Sequence, residues 1–154
     1  MRSHHLPLRI ITGAFLLNSG LSKRNADADT ASYLHGEAAR AYPIVRDMDA
    51  MLFAKTLSRT EIGVGTALLL PIVPSALAGT ALAGFSSGLL GLYFTAPDAR
   101  LEDGIRPSPQ GIALAKDSWL FGIGLSLIID GLRPCRRHRS EKAHPGKKSR
   151  KGRT

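Results

Sequence analysis

The 154-residue sequence holds a single cysteine, Cys135. One thiol excludes an intrachain disulfide, a CxxC redox pair, a cysteine zinc site and an iron–sulfur cluster. What it leaves is an inert thiol beside a basic segment, or a cross-link between two chains. The five histidines, His4, His5, His35, His138 and His144, all fall outside the long apolar segments. That placement excludes a haem held by histidines inside them. Charge is missing from one long stretch: the 36 residues 62–97 contain no Asp, Glu, Lys, Arg or His. A single membrane-crossing helix needs only about 20 such residues, and soluble domains seldom carry a run of this length. No internal repeat of solenoid period is present.

Four apolar segments carry the fold. The first, 6–22, is "LPLRIITGAFLLNSGLS", about 25 Å of helix, which suffices for a bilayer if Arg9 snorkels to one interface. Ala26-Asp27-Ala28 behind it imitates a secretory cleavage site, but Lys23 and Arg24 stand between the two and argue against cleavage. The charge-free run must be two helices, because as one it would extend about 54 Å, against a hydrocarbon core of about 30 Å. Pro71 and Pro74 divide it, giving spans at about 58–70 and 75–96. The fourth span is about 113–132. Residues 97–112 read as a solvated loop. In the connection 24–57, Ile44, Met48, Met51, Leu52 and Leu57 recur at helical spacing, which predicts an amphipathic helix at the interface, starting after Pro43.

The predicted fold class is therefore all-α: an integral membrane four-helix bundle over 1–132, followed by a disordered basic tail over 133–154. The tail holds ten of the 21 Lys and Arg but one of the 12 Asp and Glu, so the whole net charge of +9 resides there. With four spans the termini share a side. That side collects 12 cations against nine on the other, and the tail's density places both termini in the cytoplasm of a bacterial plasma membrane. Such a tail attracts anionic lipid head groups. It has no aromatic residue between 135 and 154 for base stacking, which argues against nucleic acid.

This topology gathers Lys23, Glu61, Lys116 and Asp117 into one outer interfacial layer, with Asn18 about 7 Å deeper on the first span. On the inner side Arg9 and Asp130 are expected to meet. The plain reading of the outer cluster is a set of anchors and structural ion pairs. The sharper reading is one network that clips spans one, two and four together. Ala76, Thr80, Gly84 and Gly88 fall every fourth residue on the third span, with Ser87 and Gly91 beside them. Gly122 and Ser126 offer a similar strip on the fourth, as for closely packed helices within one chain or, less directly, between the copies of a homo-oligomer. No catalytic residue or metal site stands out.

The pieces "LRIITGAFLLNSGLSK", "EIGVGTALLL" and "AKDSWLFGIGLSLII" resemble the corresponding parts of the DoxX-like small bacterial membrane proteins. The shared features are an arginine opening helix one (Arg9), a Gly-x-x-Lys ending (Gly20, Lys23), a glutamate opening a glycine-rich helix two (Glu61), and Lys-Asp opening helix four (Lys116, Asp117). The resemblance covers about 6–132. It implies a four-helix bundle and a link to thiosulfate–quinone or thiol-linked oxidoreduction in membrane complexes. The function it suggests is an accessory or scaffold subunit among membrane oxidoreductase subunits, not an enzyme on its own, with no cofactor evident beyond a quinone-like lipid. A small solute or ion transporter or channel is the alternative, motivated by Asn18 and the outer cluster.

Overall fold

A computed structural model describes residues 5–109 and 111–132; the expectations for the tail and for Cys135 lie outside the described residues. The described residues are helical and form no β-strand. Four long helices, α1 (Leu6–Lys23), α3 (Ala50–Leu69), α4 (Ser75–Thr95) and α6 (Asp117–Leu132), are joined by a shorter α2 (Ala28–Ala41) and a single-turn α5 (Ile112–Ala115). Of these, Ser75–Thr95 is the one long and apolar enough, by length and composition, to cross a membrane.

Local chemistry sets the boundaries. Asp27 and Asp49 accept hydrogen bonds from the backbone N–H groups of Thr30 and Leu52, both at 2.8 Å. They thereby satisfy orphan donors at the starts of α2 and α3. Pro71 disfavours helical geometry in the residue before it, and Leu70 is extended (φ −75, ψ 119). The charge-free run accordingly divides between Leu69 and Ser75, where the prolines predict.

Two boundaries differ from the sequence reading. The second long helix starts at Ala50, not near 58, because the Asp49 cap nucleates it eight residues earlier. Met51, Leu52 and Leu57 therefore belong to α3. Ile44, 90 % exposed, sits in a 3₁₀ turn (Pro43–Val45), so the separate amphipathic helix expected after Pro43 is not formed. The helix in that connection is instead α2, further upstream. In the fourth segment, Lys116 keeps helical angles (φ −57, ψ −25), so the chain barely leaves helical geometry between α5 and α6.

Packing is pairwise and antiparallel. α1 lies on α3 so closely that a Cβ on Gly65 would stand 2.7 Å from the Leu17 nitrogen, and one on Gly13 would stand 2.9 Å from the Gly65 oxygen. α4 lies on α6 through Gly79 and Gly124 in the same manner, each Cβ meeting backbone at 2.7 and 2.8 Å. The two pairs share a core of Leu16, Val64, Leu68, Ala78, Leu82 and Leu127. Small residues do mediate helix approach; of the expected strips Ala76 takes part, its nitrogen 2.5 Å from where a Cβ on Gly131 would stand, and Gly91 lies against Tyr42, whereas other members face away from any partner. A Cβ on Gly84, Gly88 or Gly122 would meet nothing, and Thr80 and Ser126 are exposed.

Candidate functional site

Two buried polar clusters lie at opposite ends of the bundle. At the first, Lys23, in the last turn of α1, donates to Glu61 Oε2 at 2.9 Å and Oε1 at 3.0 Å, and to Ser19 Oγ at 2.6 Å. Glu61 is 4 % exposed. Its position on α3 faces α1 because Ser58, Glu61, Val64, Gly65 and Leu68 form one helical stripe. With the Ser19 carbonyl at 3.4 Å, the Lys23 ammonium thus meets four oxygens, which compensates the cost of burying both charges.

Asp117, the first residue of α6, enters the same space and is 6 % exposed. The fields of Lys116, Glu61 and Lys23 all act on its carboxyl. Among the described residues no hydrogen bond or ion pair reaches it. Lys116 itself is exposed and places its ammonium 5.8 Å from the centre of the Phe15 ring, a cation–π contact to α1. The structure therefore brings Lys23, Glu61 and Asp117 together, binds only the first two directly, and leaves Lys116 at the rim. Asn18 is not a member: it is exposed, since the buried stripe of α1 runs through Arg9, Thr12, Gly13, Leu16 and Gly20.

This cluster forms one end of a cavity of about 740 Å³. Its apolar wall includes Phe15, Leu16, Phe85, Leu89 and Leu120, and α2 contributes Leu34 and Ala38. Tyr42, just beyond α2, donates its hydroxyl to the Gly88 carbonyl at 2.7 Å and so ties this segment to α4. A Cβ on Gly91 would fall 1.7 Å from that hydroxyl, so the small residue there makes Tyr42's seat. Sequence reading missed α2 and Tyr42, although the Asp27 cap motif was a usable signal for the helix.

At the other end Arg9 is fully buried. Its Nε donates to Leu68 O at 2.8 Å, Nη2 to Ala67 O and Leu70 O at 2.9 Å, and Nη1 to Val73 O at 2.9 Å and Ser75 Oγ at 3.3 Å. All five guanidinium N–H groups are used. Two of the acceptors, Ala67 O and Leu68 O, are carbonyls orphaned by the end of α3, and the other three belong to the turn that follows it and the start of α4. Arg9 is thus the C-terminal cap of α3, supplied by α1, where the helix dipole also favours a cation. The expected Arg9–Asp130 pair is not formed directly. His5 lies between them, with one ring nitrogen 3.0 Å from Asp130 Oδ2 and the other 3.3 Å from Ser75 Oγ. The α3 carbonyls outcompete Asp130 for Arg9 because they offer acceptors matched to the planar fork. His5, 3 % exposed, was invisible as a partner in sequence because it precedes the apolar run.

Chemically, the first cluster offers recognition more than catalysis. Lys23 spends its N–H groups on Glu61 and Ser19. Among the described residues no group of three or more His, Cys, Asp or Glu side chains could hold a metal ion. No protein-family model, curated protein or solved structure matches this chain.

Proposed function

We propose that this chain is a DoxX-like integral membrane protein of the bacterial plasma membrane. In this reading α1, α3, α4 and α6 cross the bilayer and both termini are cytoplasmic. It serves as an accessory or scaffold subunit of a quinone- or thiol-linked membrane redox system, with a quinone-like lipid in the cavity above the core.

The observation that carries the membrane reading is an inverted distribution of polarity. Arg9, Glu61, Asp117 and His5 are at most 6 % exposed, while Ile11 is 71 %, Trp119 76 %, Leu77 62 % and Ile129 53 % exposed. Water-soluble domains keep charged groups outside and bury large aliphatics. A surface of this kind is stable when its solvent is hydrocarbon. The cavity supports the second half of the proposal: its volume is that of a site for a drug-sized ligand, mostly apolar with a few convergent polar groups at one end. A transporter has less behind it, since the buried charges cluster at the two ends and the core between them is aliphatic.

Topology is tested with thiols. A membrane-impermeant maleimide applied to spheroplasts should label Ser32→Cys in a Cys135→Ser background and spare Cys135 in the unaltered chain. Equal labelling of both would overturn the orientation. Role is tested by purification in mild detergent and mass spectrometry of what accompanies the protein. An oxidoreductase subunit or a quinone should co-purify, and the absence of both would remove the redox assignment.

A further inference from the structure

Two segments outside the four long helices wall the cavity, and they are held in different ways. One is the connection from α4 to α5, which contributes Asp98 and Ala99. It is bonded at many points. Tyr93 donates its hydroxyl to Ile105 O at 2.7 Å, Arg100 donates to Phe94 O at 2.7 Å and to Gly104 O at 3.1 Å, the Ser108 N–H donates to Ala99 O at 2.9 Å, and the Ser108 hydroxyl donates to Asp98 O.

The other segment is α2 with Tyr42, which contributes Leu34, Glu37 and Ala38 as well as the tyrosine itself. Its polar bonds stay local: Asp27 to Thr30, His35 to Val45 O, Arg40 to Glu37. Among the described residues, the hydrogen bond from Tyr42 to Gly88 O is the one that ties residues 28–45 to the long helices. Apolar burial adds little, because the buried residues of α2 are two alanines, Ala31 and Ala38. Gly36 weakens the helix further without serving a close approach, since a Cβ there would meet nothing. A segment with so few buried contacts opens at a free energy well below that of global unfolding.

We propose that α2 is a lid on the cavity and that Tyr42, seated on Gly88 and Gly91 of α4, is its latch. With the latch closed, Leu34, Ala38 and Tyr42 wall the cavity. With it released, α2 swings away between its connections at 24–27 and 43–49, and the cavity opens. The Lys23–Glu61 and Arg9 ties hold α1 on α3 and stay intact throughout. The lid acts on whatever molecule the cavity takes, so it does not depend on the redox reading.

The reporter is Leu89→Cys in a Cys135→Ser background, a thiol in the cavity wall on α4. Its rate of modification by fluorescein-5-maleimide is measured on the purified full chain in mild detergent. Tyr42→Phe, which keeps the ring and loses the hydrogen bond, should raise that rate about fivefold, the scale of one neutral hydrogen bond. Gly91→Ala, whose methyl takes the place of the Tyr42 hydroxyl, should raise it at least about tenfold. Leu82→Cys, on the same helix but in the core and fully buried, should react at an unchanged rate in both variants. Leu89→Cys rates that the latch variants leave unchanged overturn the lid. An equal acceleration at Leu82→Cys also overturns it, because the whole bundle would then have loosened. If Gly91→Ala does not fold, Tyr42→Phe decides the matter alone.

Discussion

The Lys23 ammonium at the end of α1 lies 2.9 Å from the Glu61 carboxylate of α3, and the two residues are 38 apart in sequence. The pair closes the α1–α3 sandwich at one end as Arg9 closes it at the other. Both ties join helices that are not consecutive, which makes α2 an insertion between two packed partners.

Removing one member of the Lys23–Glu61 pair strands the other in a buried place. Glu61→Ala should destabilise the protein by about 3 kcal/mol, and Glu61→Gln by less because the amide still accepts one hydrogen bond. Adding Lys23→Ala to Glu61→Ala should recover part of the loss. Thermal unfolding in detergent reads the double-mutant cycle; strictly additive losses would show that the pair is not coupled.

Arg9 caps α3 through a planar fork that lysine cannot reproduce. Arg9→Lys should cost about 2 kcal/mol or more, since several carbonyls lose their donors. Amide exchange should locate the loss in the last turn of α3 and in the 70–74 turn. Protection unchanged there would mean that water caps α3 equally well.

Glycine substitutions separate contact from composition. Gly65→Ala places a methyl against the α1 backbone and should lower the unfolding midpoint, as should Gly124→Ala against α4. Gly63→Ala, with open space around it, should leave the midpoint unchanged or raise it through helix propensity. A destabilised Gly63→Ala variant would contradict the assigned faces of α3.

The Asp27 carboxyl is held below the ordinary aspartate range, first by the side-chain hydrogen bond with Thr30 and then by backbone hydrogen bonds. A depressed native value means that the cap's contribution is fully present above the unfolded range and is lost as pH falls through the native value. Exchange at the Thr30 amide should therefore accelerate in acid relative to mid-α2 amides. Asp27→Asn, which still caps, should abolish that pH dependence without fraying the helix at neutral pH.

The legibility of this chain from sequence follows the range of the interactions involved. Pro71 and Pro74 act on their own neighbours, so the division of the charge-free run was readable, as was the all-helical class. The gathering of Lys23, Glu61 and Asp117 at one end follows from helix order alone, because each stands near the end of an apolar segment. Their relative roles do not. Which side chains bond depends on helix rotation, and a strip of small residues reads alike whether it faces a partner helix, as Gly124 does, or nothing, as Gly122 does.

Sequence by itself determined the all-helical class, the division of the charge-free run and the ends at which charge collects, since prolines and runs of apolar residues act locally, but it missed α2 and the true start of α3. Only the tertiary structure decided that Arg9 serves α3 and not Asp130, that Asn18 faces outward, and that Asp117 lines a cavity beside the Lys23–Glu61 pair. Each of those outcomes is a competition among groups distant in sequence, and it is settled by a few ångströms of helix rotation and approach.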